Sequence, residues 1–519
     1  MIISSTSFFS IPFISTLLAI ILAATLLFIR NHRINLSRNS PPGPWKLPII
    51  GNIHQMVGDQ PHRRLRDLAR KYGPDVMRLQ LGELSCIVIS TPEAAKLVMK
   101  THDIAFASRP YILATDVLFY GRKDIGFAPY GEYWRQLRKI CTLELFSAKR
   151  VESFRHIREQ EVSNLVASLA LSCHAEAGKS GPVDLTRALF TVTSTVTSRA
   201  VFGKVQQLSG AFQTVLDNYS DATGGFKISD LYPSLTLLPT LTGFRAKLEK
   251  MREAADSVLD QIIDEHQLRR RAGMKSNDDY NEKEDLVDVL LNIQENQDVE
   301  VITPEVIKAV TLEIFIAGVD TAATTLEWTM SEMIKNSGVL EKAQREVREV
   351  FGDGENNNFN EARLHQLKYL DMVISESLRL HPPVPLLAPR ENKDQKVELN
   401  SSYDIPMNTY VIVNAWAINR DSRYWTEAER FYPERFIDCP IDYNGTNFHF
   451  IPFGAGRRMC AGVSFGMAVV KLTLASLLFH FDWTLPAEQK SIDMTECFGM
   501  TLRRQYPLRL IPFPYGPVL

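Results

Sequence analysis

The sequence predicts a mainly α-helical protein with small β-sheets, preceded by one apolar helix at the N-terminus. Three observations carry that prediction. Beyond residue 61 most apolar residues recur at helical spacing, and few stretches run as strands do. The segment 303–335 keeps a helical pattern far longer than an ordinary globular helix. No internal repeat breaks the remainder, so 61–519 reads as a single large domain.

Composition narrows the class. The 519 residues are 45% hydrophobic and 23% charged, with a net charge of −2, which fits a globular chain and gives no electrostatic footprint for nucleic acid. The six cysteines (Cys86, Cys141, Cys173, Cys439, Cys460 and Cys497) are scattered and form no CxxC pair. That argues against a disulfide framework or a zinc site and suits a reducing compartment.

Taken in order, residues 1–7 form a short lumenal end and 8–29 a membrane anchor. From Phe8 to Ile29 the chain is uncharged, and as a helix it would be about 33 Å long, enough to cross a bilayer. Arg30, His32, Arg33 and Arg38 follow it. Basic residues on that flank place the body in the cytosol. A basic, proline-rich connector, 30–60, includes "PPGPWKLPIIGN" and cannot continue a helix. Val76–Thr91 reads as a hairpin around Gly82-Glu83, and Tyr403–Ile418 as strand around Pro-Met-Asn. Polar loops are expected at Arg270–Glu284 and Gly352–Asn360.

The long helix starts at Thr303-Pro304-Glu305, a capping hydroxyl followed by proline and an acid, and stops before Asn336-Ser337-Gly338. Its middle is apolar on all sides, so it should be buried. Inside lies "AGVDTAATT", where Asp320 must find a polar partner.

One cysteine sits in "FIPFGAGRRMCAG", Phe450–Gly462. A lone Cys can be a nucleophile, a metal ligand or a buried structural residue. No histidine lies near it in sequence to serve as a base. A thiolate on haem iron needs one protein ligand, glycines that let backbone amides approach the sulfur, and arginines for the propionates.

Phe453, Gly456, Arg458, Cys460 and Gly462 match F-x-x-G-x-R-x-C-x-G, and here the chain resembles the cytochrome P-450 superfamily. Further motifs follow in the family's order: "WRQLR" with Trp134 and Arg138, "AGVDT", "ESLR" with Glu376 and Arg379, "APRE" with Arg390, and "PERF" with Arg435. The resemblance covers essentially the whole chain and implies a haem-thiolate fold holding haem b. It implies Cys460 as axial ligand, with Phe453 and Gly456 among the haem-binding residues of its loop. Trp134, Arg138, Arg390 and Arg458 would lie around the propionates. Asp320 and Thr321 would deliver protons during oxygen activation, with Ala317 and Gly318 leaving room for dioxygen. Two departures stand out: Ala322 where many relatives have Ser or Thr, and Ala461 where many plant relatives have Pro.

Longer stretches resemble plant microsomal A-type enzymes, nearest in look to sesquiterpene and diterpene oxygenases. That implies a lipophilic small-molecule substrate and residence in the endoplasmic reticulum membrane as a single-pass protein. Electrons would come from NADPH through NADPH-cytochrome P-450 reductase, docked at Arg135, Lys139 and Arg457. Tyr111–Phe127 would roof the pocket, and Ile316, Ala317, Val384, Leu387, Phe498 and Met500 would line it. Oxidation of an alkaloid or phenolic compound is the alternative within the class, and a haem-thiolate isomerase or carrier is the alternative outside it. The sequons at Asn35, Asn218, Asn400 and Asn444 should carry no glycan if the body is cytosolic.

Overall fold

The computed structural model describes residues 39–515 apart from 175–180, 204–218, 220–221, 224–225, 273–283, 297–300, 353–358, 394–395, 401 and 438–441. The expected anchor at 8–29, most of the connector's basic flank, and Asn35 and Asn218 lie outside the described residues. So do most of the two expected polar loops.

Helix α1 (Pro61–Tyr72) leads into β1 (Val76–Leu81) and β2 (Leu84–Ile89), an antiparallel pair turning at Gly82, whose φ is +61°. Next come α2 (Leu113–Leu118), α3 (Glu132–Ile140) and α4 (Arg155–His174). They are followed by β3 (Val183–Asp184) and α5 (Leu185–Phe202). Two further helices, α6 (Phe244–Arg271) and α7 (Leu286–Glu295), precede the long α8 (Pro304–Lys335). Then come α9 (Ser337–Gly352), α10 (Lys368–Leu380), β4 (Arg390–Asn392), β5 (Val397–Leu399), β6 (Tyr403–Ile405) and β7 (Thr409–Val413). The chain ends in α11 (Val463–His480), β8 (Phe481–Thr484), β9 (Glu496–Phe498), β10 (Leu502–Arg504) and β11 (Arg509–Pro514).

Helix α8 has the bounds its caps predict. Thr303 Oγ1 accepts from Val306 N at 3.4 Å, and Pro304 occupies the first turn, where its missing N–H costs nothing. Most of its residues are buried on every side, so α8 forms the axis of the main core. It lies along α5, and close approach there requires Gly318. A Cβ on that residue would stand 3.2 Å from Thr197 Cγ2. Gly318 therefore serves helix packing, and it also borders an interior cavity beside Ala317 and Thr321. Helix α11 passes for a membrane span by length and hydropathy, yet half of it is buried and it packs against α8 in the core.

The sheets differ from the sequence reading in one respect. Tyr403–Ile418 does not fold back on itself as one unit. β6 pairs with β5, whereas β7 inserts between β2 (parallel) and β4 (antiparallel), giving the order β1-β2-β7-β4. Residues 415–418 are a helical turn capped by Asn414, whose side chain accepts from Ala417 N at 3.0 Å. Pairing partners more than 300 residues apart are set by tertiary packing and leave no local pattern.

Candidate active site

Burial explains the E-x-x-R motif first. Glu376 and Arg379 are one turn apart on α10 and both fully buried. Arg379 donates to both Glu376 oxygens, Nε at 2.7 Å and Nη2 at 2.8 Å. Arg435 Nε adds a third bond at 2.9 Å, and Tyr432 N a fourth at 2.8 Å. Arg379 Nη1 also donates to the Asn419 and Ala428 carbonyls. The pair is thereby satisfied, which a buried ion pair requires, and it pins the segment leading to the cysteine loop.

That loop is shaped by glycines at positive φ: Gly454 at +71° and Gly456 at +68°. At Gly456 a Cβ would stand 2.1 Å from the Met99 carbonyl oxygen, so only glycine fits. Cys460 N donates to Phe453 O at 3.0 Å and closes the turn. The sulfur is accessible, but to an interior cavity of about 290 Å³ rather than to the outer surface. Burial pushes the thiol's pKa up, while the Gly462 N–H and the Arg138 charge act against that rise.

The cavity lies between this loop and α8. Thr321 and Ala317 face it one turn apart, with Val384 and Leu387 on another wall and Phe453 below. Thr321 Oγ1 donates to Ala317 O at 2.8 Å, the usual back-bond of a helical threonine. Ala322 also borders the cavity, as does Thr325, whose hydroxyl donates to Thr321 O at 2.8 Å.

Four arginines line one side: Arg109, Arg138, Arg390 and Arg458. Among the described residues only Arg390 has a carboxylate in contact, Asp103 at 3.0 Å. Arg458 donates to the carbonyls of Ala107, Ile125 and Ala128, and Arg138 Nη2 to that of Met459 at 2.6 Å. Arg109 donates to the carbonyls of Gly126, Ala388 and Pro389. Burial, and the charges of Arg458 and Arg390 beside it, push the Arg109 pKa well down. Burial first, then Arg390, brings Arg458 down to about 9. Buried cations that meet only carbonyl dipoles call for an anion. A planar macrocycle bearing two propionates, with an open metal position for one thiolate, meets that demand, so the residues fit haem. Arg109 was not singled out from the sequence. Its partners at 388 and 389 join it only in three dimensions.

Other expected residues stand elsewhere. Trp134 is buried and does not line the cavity. Its Nε1 donates to Ile125 O at 2.9 Å, and the Arg458 guanidinium lies 4.2 Å from its ring centre, so it buttresses that arginine. Gly456 likewise supports the loop from behind. Ile316 is buried in the helical core. Phe498 turns away from the cavity: it stacks on His62 at 5.8 Å between centroids and packs with Trp416, lining a separate surface cleft. Met500 packs against the main core, its sulfur 3.3 Å from Thr223 Oγ1.

Asp320 is held from two sides. Thr501 Oγ1 donates to Oδ2 at 2.7 Å, and Arg503 pairs with Oδ1. The polar partner that the sequence demanded thus comes from the β9–β10 hairpin, and Asp320 ties that hairpin to α8.

A family model described as Cytochrome P-450 matches residues 41–511. Desmethyl-deoxy-podophyllotoxin synthase of Sinopodophyllum hexandrum is 48% identical over 509 residues, covering 97% of each chain. Premnaspirodiene oxygenase of Hyoscyamus muticus is 47% identical over 508 residues, covering 97% of this chain and 99% of that one. A zebra fish cytochrome P-450 solved with abiraterone superposes with a TM-score of 0.71 at 25% identity, covering 89% of this chain and all of that one.

Proposed function

Because this chain belongs to the cytochrome P-450 family of haem b monooxygenases, we propose that it hydroxylates a lipophilic terpenoid at the cavity above Cys460. One observation carries the reading: an accessible thiol, an apolar wall and a bank of four arginines, of which Arg390 alone meets a carboxylate among the described residues, share a single interior cavity. When bound, haem supplies activated oxygen, made reactive by electron donation from the thiolate. Cys460 supplies that ligand. Arg109, Arg138, Arg390 and Arg458 would neutralise the propionates, with Trp134 steadying Arg458. Thr321 is the hydroxyl placed to pass a proton into the cavity. Asp320 acts on it from the neighbouring position while it secures Thr501. Ala317, Val384 and Leu387 present the apolar surface a terpene skeleton needs.

Electrons reach plant enzymes of this type from NADPH through a reductase. Lys139 and Arg457 are exposed and could meet an acidic partner, with Arg135 beside them but already paired to Glu132. Membrane attachment gains support beyond the anchor sequence. Trp45, Ile49 and Val57 on the connector, with Leu235, Leu237 and Leu241 after α5, are each at least half exposed. Large apolar side chains in that number suit a lipid surface.

The relatives' names point to different chemistries, one the synthesis of a podophyllotoxin and one the oxygenation of a sesquiterpene, so an aromatic polycyclic substrate is the competing reading. Recombinant protein with reductase, NADPH and oxygen should be offered terpene hydrocarbons and aromatic substrates side by side. Oxygenated terpenoids are the expected product. Turnover of the aromatics alone would overturn the terpenoid assignment. Full-rate conversion without NADPH or oxygen would reveal an isomerase.

A further inference from the structure

The segment around α2 carries a backbone strain that the reading above does not use. Tyr120, Gly121 and Arg122 all have left-handed backbone, with φ of +52°, +76° and +61°. No other three consecutive described residues do. Such a run is unfavourable for residues that carry a Cβ, and it persists only where the surroundings hold it. Lys123 N closes the turn by donating to Phe119 O at 2.8 Å. The arch of chain that contains it has both stems on the cavity, Arg109 on one side and Ile125 with Gly126 on the other.

The two sides of the turn are held differently. Beyond it the chain is fixed to the cavity wall. Tyr133 Oη donates to Lys123 O at 2.8 Å, Ile125 N to Glu313 Oε2 at 2.9 Å, and Trp134 Nε1 to Ile125 O at 2.9 Å. Before it, residues 111–122 cohere as a unit around α2. Tyr111 Oη donates to Asp116 Oδ2 at 3.2 Å, and Arg122 reaches back to both, 3.9 Å from Asp116 Oδ1 and 5.3 Å from the Tyr111 ring centre. Three hydrogen bonds tie this unit outward among the described residues. Leu113 N donates to Asp230 Oδ1 at 3.0 Å, Tyr410 Oη to Tyr111 O at 2.9 Å, and Tyr120 Oη to Asp256 Oδ1 on α6 at 2.5 Å. The last of these acts at the strained turn itself. Asp256 is also held by Lys308 Nζ at 3.1 Å and lies 3.9 Å from Arg252 Nε, and it keeps some solvent contact. If the tyrosine lets go, the carboxylate retains its cations and the hydroxyl meets water, so no charge is stranded. Relief of the left-handed backbone then favours release.

We propose that the Tyr120–Asp256 bond is the latch of a gate: α2 and its flanks form a strap beside the cavity that swings about the left-handed turn to admit a bulky ligand. This inference rests on the reading of the cavity as the haem and substrate site. Closed, the latch holds the strap against α6 with 120–122 in the strained form. Open, 120–122 relax out of the left-handed region, and a passage forms between α2 and α6. The stem from Lys123 onward stays fixed, so the haem-side wall is undisturbed while ligand enters. Tyr120 and Asp256 are positioning residues that act on the strap and touch no substrate.

The test follows ligand entry into the full-length, haem-loaded protein by stopped flow, read from the haem absorption shift. The probes are clotrimazole, a bulky azole, and imidazole, a small one. Tyr120→Phe should speed clotrimazole association and dissociation alike by ~10-fold, with affinity within ~2-fold of wild type and imidazole rates unchanged. Asp256→Leu leaves Lys308 paired with Asp260 and should match it. The double variant should be no faster than either single one, because both remove one tie. Asp256→Asn keeps the oxygen that accepts from Tyr120 and should stay within ~2-fold of wild type. A Cβ at Gly121 meets nothing within 4 Å. Gly121→Ala therefore penalises only the left-handed backbone and should speed clotrimazole entry by ~3-fold. Unchanged clotrimazole rates in Tyr120→Phe, or imidazole sped equally, overturn the inference and leave the haem site standing. So does a loss of affinity without faster association, the mark of a purely structural tie. A folded, haem-loaded protein in which neither azole shifts the spectrum removes the haem-site reading and the gate with it.

Discussion

At Gly456 a single atom decides the site. The φ of +68° and the 2.1 Å approach of a Cβ to Met99 O leave no place for a side chain. Gly456→Ala should cost about 2–4 kcal/mol, seen as a lowered thermal midpoint and a lower haem content on purification. Glu376 makes a second case. It accepts from Arg379, Arg435 and Tyr432 N, so Glu376→Ala leaves two guanidiniums unpaired. A loss of about 3–5 kcal/mol is expected, which should appear as failure to recover folded, haem-loaded protein. Both residues were legible in the sequence because a motif fixes their spacing. Arg109 and Arg503 were not, since their partners lie 279 and 183 residues away and only the fold joins them. Phe498 was read as a cavity wall and faces His62 instead. A strand sends neighbours to opposite faces, so the side chosen depends on register, which composition does not reveal.

Among the elements, α8 was readable to its ends because its signals are local: a capping threonine, a proline and a continuous apolar run. The placement of β7 between β2 and β4 was not, because strand pairing is decided elsewhere in the chain. Helices α6 and α7 are joined by a contact the sequence also hid. His266 Nε2 lies 2.8 Å from Asp285 Oδ2, and Nδ1 2.7 Å from Ile262 O. With both ring nitrogens engaged, His266 forms an ion pair with Asp285 rather than lending a ligand to a cation site with Asp285 and Asp288. Burial lowers the His266 pKa, but the Asp285 hydrogen bond and charge, with the Ile262 carbonyl and the Asp288 charge, together outweigh it and the pKa is raised; Arg269 Nη2 lies 3.3 Å from Nδ1. The imidazolium's contribution is therefore complete below the ordinary histidine value and fades as pH rises through the raised one. Asp285→Asn keeps the cap on Asp288 N but removes the charge. Its thermal midpoint should fall further below wild type at about pH 6 than at about pH 9. An equal deficit at both would contradict the ion-pair assignment.

Over the whole molecule, the cysteine loop and its arginines form one side of the haem cavity, and α8 the other. Reductase docking is a property at this scale. Lys139→Glu with Arg457→Glu should raise the reductase concentration needed for half-maximal turnover by about 10-fold at low salt, and the gap should narrow as salt screens the interface. The central claim is the bond between Cys460 sulfur and haem iron, and the absorption spectrum of the reduced, carbon monoxide-bound protein tests it most directly. Wild type should show the red-shifted band of thiolate-ligated haem, and Cys460→Ser should lose it. A folded, haem-loaded wild type without that band, or a serine variant that keeps it, would contradict the account.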